Sequence, residues 1–390
     1  MRILIELTYY RPHTSGLTIY AERLAKAFVN RGHYVTVLTS QYRRDLSLNE
    51  TQSGVHVIRV PVLARISKGV IMPSLGKTAN ALIREHDVLH LHLPQFDAAG
   101  LALRGRLYKK PTIITYHCDL QMPKGFLSWL ANQSVRVMNN LAAIFTHRIV
   151  TYTQDYADHS RFLTRWKRKL AIILPPVELP VCSTSEICNF QELNNPQNIH
   201  PIIGIAARFA TEKGVEILLI ALKDVIMHYP KAQVWFAGPF ENIYGEEAYF
   251  EKLKPLVDYY VQSNNWKFLG ELSPHQMAAF YPNLDVLVIP SLNSTEAFGL
   301  VQIEAMMNGV SVVASDLPGV RQPIMTHKMG KVIRVGDASA LAEAIISLCN
   351  EKSSDLAINK KSYEKYQPDQ VAREYERLFN EIVTEIGNKF

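Results

Sequence analysis

Cysteine is scarce in this 390-residue chain: Cys118, Cys182, Cys188 and Cys349 are the only four. Their spacing fits neither a disulfide framework nor a zinc site. No apolar run approaches the roughly 18 residues that a membrane-spanning helix needs. Met1-Arg-Ile-Leu-Ile-Glu-Leu is too short, and interrupted too early by Glu6, to serve as a signal peptide. A cytoplasmic protein with reduced thiols is expected. There is no Asp-x-Asp of the kind that holds a divalent ion against a diphosphate. Neither half carries Gly-x-Gly-x-x-Gly after a strand with an acidic residue about 20 positions on, which argues against a nicotinamide-dependent oxidoreductase. What is present is 47% hydrophobic residues. At this length that composition favours two α/β domains over one.

The order of elements supports the same division. Apolar runs at Ile3–Leu7, Tyr34–Leu38, Val88–Leu93, Thr112–Tyr116 and Ile149–Tyr152 alternate with helical patterns such as Tyr20 to Asn30, as in a parallel sheet wrapped by helices. From Pro175 to Pro201 the chain turns rich in Pro, Asn, Ser and Gln and reads as a linker. A second series follows at Ile202–Ala207, Val234–Ala237, Lys267–Leu269, Val286–Ile289 and Val312–Ala314. Domains are therefore expected over 1–182 and 183–369. Ligands of such doubly wound folds sit at the carboxyl ends of strands, so the chemistry is sought there.

Leu284-Asp-Val-Leu-Val-Ile-Pro290 is a β-branched run stopped by proline, and Gly309 stands where a helix C-cap is expected. Between them the chain reads as strand, loop and helix, with Glu296 on the loop and Glu304 inside the helix. Phe298, Gly299 and Leu300 lie at the helix start, where backbone N–H groups and the positive dipole end suit an anion, and glycine permits close approach. N–H groups suit a diphosphate, whereas carboxylates accept hydrogen bonds from sugar and ribose hydroxyls. An isolated pair of glutamates at this spacing is more often a solvated helix face, so the neighbouring residues decide.

Arg208 follows the strand Ile202–Ala207, and Lys213-Gly214 opens a helix running to about Met227, which places two cations at a strand end beside a helix N-terminus. Arginine binds phosphate oxygens bidentately and lysine adds a point charge. Two solvated loop cations are the alternative, with Glu212 between them solvated or pairing with one. In the first domain Thr112-Ile-Ile-Thr-Tyr-His117 delivers His117 and Asp119 to a strand's carboxyl edge. A lone histidine there is more often a satisfied structural residue, and Asp119 is divided between a sugar contact and a helix cap. His90 and His92 share a strand face without a third metal ligand nearby, which favours supporting or acceptor-pocket roles. The loop Thr8 to Gly16 leads from the first strand into a helix, as a phosphate-binding loop does.

Taken together, Glu296-Ala-Phe-Gly with Glu304-Ala-Met, Ser315-Asp-Leu-Pro-Gly319, Arg208-Phe-Ala-Thr-Glu-Lys213-Gly, His117-Cys-Asp119 and the loop ending at Gly16 resemble the GT4 family of retaining, GT-B-fold glycosyltransferases, over nearly the whole chain. The resemblance implies two Rossmann-like doubly wound domains facing each other across a cleft. The N-terminal domain would receive the acceptor and the C-terminal domain would hold the donor. A C-terminal helix at about 370–390 would pack back on the first domain. The resemblance also implies transfer of a hexose from a nucleotide diphosphate sugar to a hydroxyl with retained anomeric configuration, without metal or other cofactor. His117 would touch the donor sugar, Arg208 and Lys213 the diphosphate, Glu296 the sugar hydroxyls and Glu304 the ribose. Gly16, Asp119, Phe298, Gly299 and Leu300 would complete donor binding. The chain departs from the common pattern at Gly16-Leu17, at Ala237-Gly238-Pro239 and at Pro175-Pro-Val-Glu178. A non-catalytic nucleotide-sugar-binding protein of the same fold is the alternative.

Charge is unevenly divided. Up to Cys182 there are 24 Lys+Arg against 11 Asp+Glu, a net of +13, and beyond it 18 against 25, a net of −7, giving the +6 of the whole. Basic residues gather at Arg104–Lys110 and at Arg161–Lys169, where Phe162, Leu163 and Trp166 lie among them. That composition suits an anionic membrane surface and a lipid-linked acceptor, with solvated surface as the alternative. Nucleic-acid binding is disfavoured because no recognition motif accompanies the charge. Val137, Leu141 and Ile144, following Phe126-Leu-Ser-Trp-Leu130 at helical spacing, read as a core-facing stripe.

Overall fold

The structure is a computed structural model that describes residues 1–66, 69–121, 126–241, 243, 245–351 and 360–387; within them, nothing is described of the side chains of 66, 126–131 and 360–361. It divides into one unit of Met1–Val177 with Glu364–Phe390 and a second of Glu178–Tyr363.

In the first unit the strands are β1 (Arg2–Glu6), β2 (Tyr34–Gln41), β3 (Asn49–Gln52) and β4 (Val55–Pro61), then a separate hairpin of β5 (Ala64–Ile66) and β6 (Gly69–Ile71). They continue with β7 (Val88–Leu93), β8 (Thr112–Tyr116), β9 (Arg148–Thr151) and β10 (Leu170–Ile172). The main sheet has the order β10-β9-β8-β7-β1-β2-β4-β3, parallel except for β3 against β4. Every residue of β7 and β8 is buried, as expected of central parallel strands covered on both faces, with the polar side chains of His90, His92, Thr112 and Thr115 taken into the interior. The antiparallel edge β3–β4 is less legible, since Asn49-Glu-Thr-Gln52 carries no apolar residue.

Helix Pro368–Gly387 buries Val371, Ala372, Tyr375, Leu378, Phe379 and Ile382, a stripe at helical spacing. It packs on helix Gly16–Asn30. Arg31, just past that helix, reaches Glu376 Oε1 at 2.5 Å and Asp369 Oδ1 at 2.8 Å. The last positions of the expected C-terminal helix, 388–390, lie outside the described residues.

The second unit holds β11 (Ile202–Ala206), β12 (Gln233–Ala237), β13 (Trp266–Gly270), β14 (Val286–Ile289), β15 (Ser311–Ser315) and β16 (Gly330–Ile333), all parallel, in the order β13-β12-β11-β14-β15-β16. The order reverses between β11 and β14. Such a switch point opens a crevice at the carboxyl ends of the two central strands. Helices Val215–His228 and Ala338–Asn350 cover the sheet with Leu218, Leu222, Val225, Leu341 and Ile345, all buried.

The expected linker at 175–201 is not wholly irregular. Helix Thr184–Asn194 lies within it, begun by a capping box between Ser183 and Glu186 and anchored by buried Phe190 against Trp235. Its polar composition hid it: the capping box marks its start, but Phe190 is its single fully buried side chain.

Candidate functional site

In the second unit, β11 ends at Ala206, and Arg208 stands half-buried just beyond it. A short 3-10 turn, Thr211–Lys213, leads through Gly214 into helix Val215–His228. The carboxylate of Glu246 accepts from the Thr211 N–H at 3.0 Å and from its hydroxyl at 2.8 Å, fixing the start of the turn. Gly214 has φ +66°, and a Cβ there would overlap the carbonyl oxygen of Pro290, so glycine is required twice over. The Leu292 N–H donates to the Glu212 carbonyl at 2.9 Å. The turn after β11 is thus clipped onto the loop after β14.

That loop ends at Gly299, φ +74°, the N-cap of helix Leu300–Met307. Buried Gln302 donates from Nε2 to the Phe298 carbonyl at 2.7 Å and to the Val320 carbonyl at 2.9 Å, holding the helix entrance in place. The first turn of the helix carries no acidic residue to neutralise its positive end.

The clipped loops bring Lys213 Nζ to 2.5 Å from Glu296 Oε2, and Arg208 Nη2 to 2.6 Å from Glu212 Oε1. Glu304 is buried inside the helix, and its Oε2 accepts the hydroxyl of Tyr281 at 2.6 Å. Arg208, Lys213, Glu296, Phe298, Gly299, Leu300 and Glu304 therefore all belong to the β11/β14 switch point. Glu246, Gln302 and Tyr281, which position them, were not legible in the sequence: their partners are 35, 18 and 23 residues away.

In the first unit, His117 lies just beyond β8, buried, with both ring nitrogens engaged. Nε2 is 2.8 Å from His92 Nδ1, and Nδ1 bonds the hydroxyl of Tyr152. Tyr20 presents its ring edge-on at 5.0 Å. Burial holds the His117 and His90 imidazoles well below their ordinary pKa and brings His92 down to about 3. His90 bonds Thr115 Oγ1 at 2.7 Å, Thr115 bonds Tyr375 at 2.6 Å and Tyr375 bonds Tyr20 at 2.6 Å, so the C-terminal helix closes over the histidine face of β7. Among the described residues no group of three His, Cys, Asp or Glu side chains is arranged to hold a metal ion.

Asp119 accepts at Oδ1 from the hydroxyls of Tyr116 and Ser160, each at 2.8 Å. Residues 122–125, before the next helix, lie outside the description. Gly16 is the first residue of its helix behind the N-cap Ser15, with open space where a Cβ would stand.

Two surface expectations are corrected. Val137 and Ile144 are each 52% exposed rather than core-facing. Leu141 is half-buried, and among the described side chains of helix Phe126–Phe145 the buried ones are instead Asn139, Ala142 and Ala143; the helix packs on helix Ala98–Leu107. Nothing is described of the side chains of 126–131, which include Phe126 to Leu130. Conversely, Phe162 and Leu163 are buried, Phe162 stacked on Tyr116 at 4.4 Å. Lys169 is not a free surface charge either: its Nζ donates to the carbonyls of Ala143, Ile144 and Thr146 at 2.7, 3.0 and 2.6 Å, capping the C-terminal end of helix Phe126–Phe145.

Two doubly wound sheets, parallel but for β3, with charged residues gathered at a switch point of the second, are the parts of a GT-B fold. Residues 189–365 match the family model described as Glycosyl transferases group 1, and residues 14–179 match that of Glycosyltransferase Family 4. The chain belongs to the GT4 family of glycosyltransferases. It is 25% identical over 398 residues to the phosphatidyl-myo-inositol mannosyltransferase of Mycobacterium leprae, covering 98% of each chain. The crystal structure of Anabaena HepE in complex with UDP aligns with a TM-score of 0.76 at 18% identity, covering 98% of this chain and 100% of that one. Sucrose-phosphate synthase from Thermosynechococcus elongatus aligns with a TM-score of 0.75 at 20% identity, over 98% and 99%.

Proposed function

We propose that this glycosyltransferase moves a hexose from a nucleotide diphosphate sugar to an acceptor hydroxyl with retention of anomeric configuration. The observation that carries the reading is the convergence of Arg208, Lys213, Glu296 and the N-terminus of helix Leu300–Met307 at the β11/β14 switch point. Arg208 and Lys213 stabilise the diphosphate as it departs, a charge otherwise met by a metal ion. The helix end adds backbone donors, Glu296 accepts from sugar hydroxyls and Glu304 from the ribose. His117, Asp119 and Gly16 keep the donor-side roles that the family resemblance implies. The bond from the anomeric carbon to the phosphate oxygen breaks, a bond to the acceptor oxygen forms on the same face, and the leaving phosphate takes the acceptor's proton.

A lipid-linked acceptor at the inner face of a membrane is the reading we favour. The M. leprae relative's name supports it, as does the exposed surface of the first unit. Arg161, Arg165, Lys167 and Arg168 are exposed there, and so are Val137, Ile144, Leu103 and Leu107 on two helices that pack together. Cations beside exposed aliphatic side chains suit anionic lipid. Among the described residues no helix is long and apolar enough to cross a membrane.

The test is thermal unfolding with UDP-, GDP- and ADP-sugars in turn, followed by assay of hexose release. A donor at 100 times its dissociation constant adds roughly 2.7 kcal/mol of stability. Stabilisation by one donor with turnover supports the reading, and stabilisation without turnover favours the non-catalytic binding protein.

A further inference from the structure

Both cations of the donor turn are already held by carboxylates. Lys213 pairs with Glu296 at 2.5 Å, their side chains 23% and 16% exposed, and Arg208 pairs with Glu212 at 2.6 Å. The two pairs differ in what can release them. Glu296 is assigned to sugar hydroxyls and Lys213 to the diphosphate, so an intact donor carries a replacement partner for each: hydroxyl donors for the carboxylate and phosphate oxygens for the ammonium. A nucleoside diphosphate alone carries only the second. To engage Lys213 it must strip a partly buried carboxylate of its cation and leave nothing in exchange, which is costly. Gly214 against Pro290 and Leu292 against Glu212 clip the two loops together, so the backbone itself presents Lys213 to Glu296.

We propose that the Lys213–Glu296 ion pair is a latch that couples sugar recognition to diphosphate binding within one site. A sugar that occupies Glu296 frees Lys213 for the diphosphate. Once the sugar has been transferred, Glu296 recaptures Lys213 and the spent nucleoside diphosphate is released. The latch therefore favours intact donor over product. It rests on the donor-site reading above.

Inorganic pyrophosphate is the probe, since it carries phosphate oxygens and no sugar. Its dissociation constant is measured by calorimetry for the wild type, Glu296→Gln, Glu296→Gln with Lys213→Met, and Arg208→Ala. Glu296→Gln should bind about tenfold more tightly than the wild type, within the span of ordinary coupling effects, and the gain should vanish in the double variant. Glu296→Ala carries the same expectation, so one folded variant suffices. Equal or weaker binding by a folded Glu296 variant overturns the latch; a loss of binding in Arg208→Ala in the same series leaves the donor site standing. Absence of pyrophosphate binding in every protein, or binding indifferent to Arg208→Ala and to loss of Lys213, removes the donor site and the latch with it.

Discussion

His92 Nδ1 and His117 Nε2 lie 2.8 Å apart in an interior where neither imidazole is charged. One of the two nitrogens must donate. Among the described residues His92 Nε2 and His90 Nδ1 have no partner, and a bare buried acceptor is tolerated better than an orphaned N–H. The proton therefore sits on His92 Nδ1 and is donated to His117 Nε2, leaving His117 Nδ1–H to donate to the Tyr152 hydroxyl oxygen. Such a cluster stays neutral only while the protein is folded.

The consequence is a pH dependence of stability. The folded pKa of His92 lies near 3, below the roughly 6.5 of an unfolded histidine. The unfolded chain therefore binds more protons between those values, and stability falls as pH drops through that window. From His92 alone the loss between pH 7 and pH 5 is about 2 kcal/mol. Urea unfolding at the two values measures it, and His92→Gln, which keeps a partner for His117 but cannot take up the proton, should reduce the dependence by the share of His92 while His90 and His117 still contribute theirs. An identical dependence in that variant would show that other groups carry it.

Arg208→Ala and Lys213→Ala should each lower turnover by about 10²-fold or more while the protein stays folded, as expected of preorganised charge aimed at a leaving group. Wild-type turnover in either variant refutes the assignment. Because these side chains are proposed to carry the charge themselves, activity should also survive excess EDTA. Complete loss, restored by manganese, would mean that the diphosphate is held by a metal.

The two glutamates of the site should separate by ligand. Glu304→Ala is expected to weaken free nucleoside diphosphate and intact donor alike, because its proposed partner is the ribose, whereas Glu296→Ala should weaken the intact donor without weakening the free nucleoside diphosphate. Tyr281→Phe, which removes the hydroxyl donated to Glu304, should follow Glu304→Ala with a smaller effect of about 1 kcal/mol. Equal losses for both ligands in both glutamate variants would contradict the roles.

How much of this was legible in the sequence depended on range. The parallel strands were, because burial on both faces writes many of them as apolar runs such as Val286–Ile289. The charged residues of the turn after β11 and the loop after β14 stand in short local motifs and could be picked out as candidates. The pairing of Lys213 with Glu296 was not, because 83 residues separate them and only the reversal of strand order at β11/β14 brings them together. Helix Thr184–Asn194 was lost to its polar composition. Amphipathic spacing misled at Val137 and Ile144, where alanines on the opposite side of the helix are what pack.

That last correction sharpens the prediction for the membrane. With Phe162 and Leu163 buried and Lys169 spent on capping a helix, the exposed cations of this segment, which the membrane proposal needs, are Arg161, Arg165, Lys167 and Arg168. Arg165→Glu with Lys167→Glu should weaken binding to anionic liposomes. Binding should also fall steeply with salt, since each basic residue near such a surface contributes about 1 kcal/mol at low ionic strength. Val137→Ser with Ile144→Ser should weaken it as well, by removing aliphatic contact, without lowering stability, because both side chains are already exposed. Lys169→Met is the control with the opposite pattern: it should lower thermal stability by about 1 kcal/mol through three lost carbonyl partners and leave liposome binding unchanged. Sedimentation with neutral and anionic vesicles reads all three variants, and wild-type binding indifferent to lipid charge would leave a soluble acceptor as the better reading.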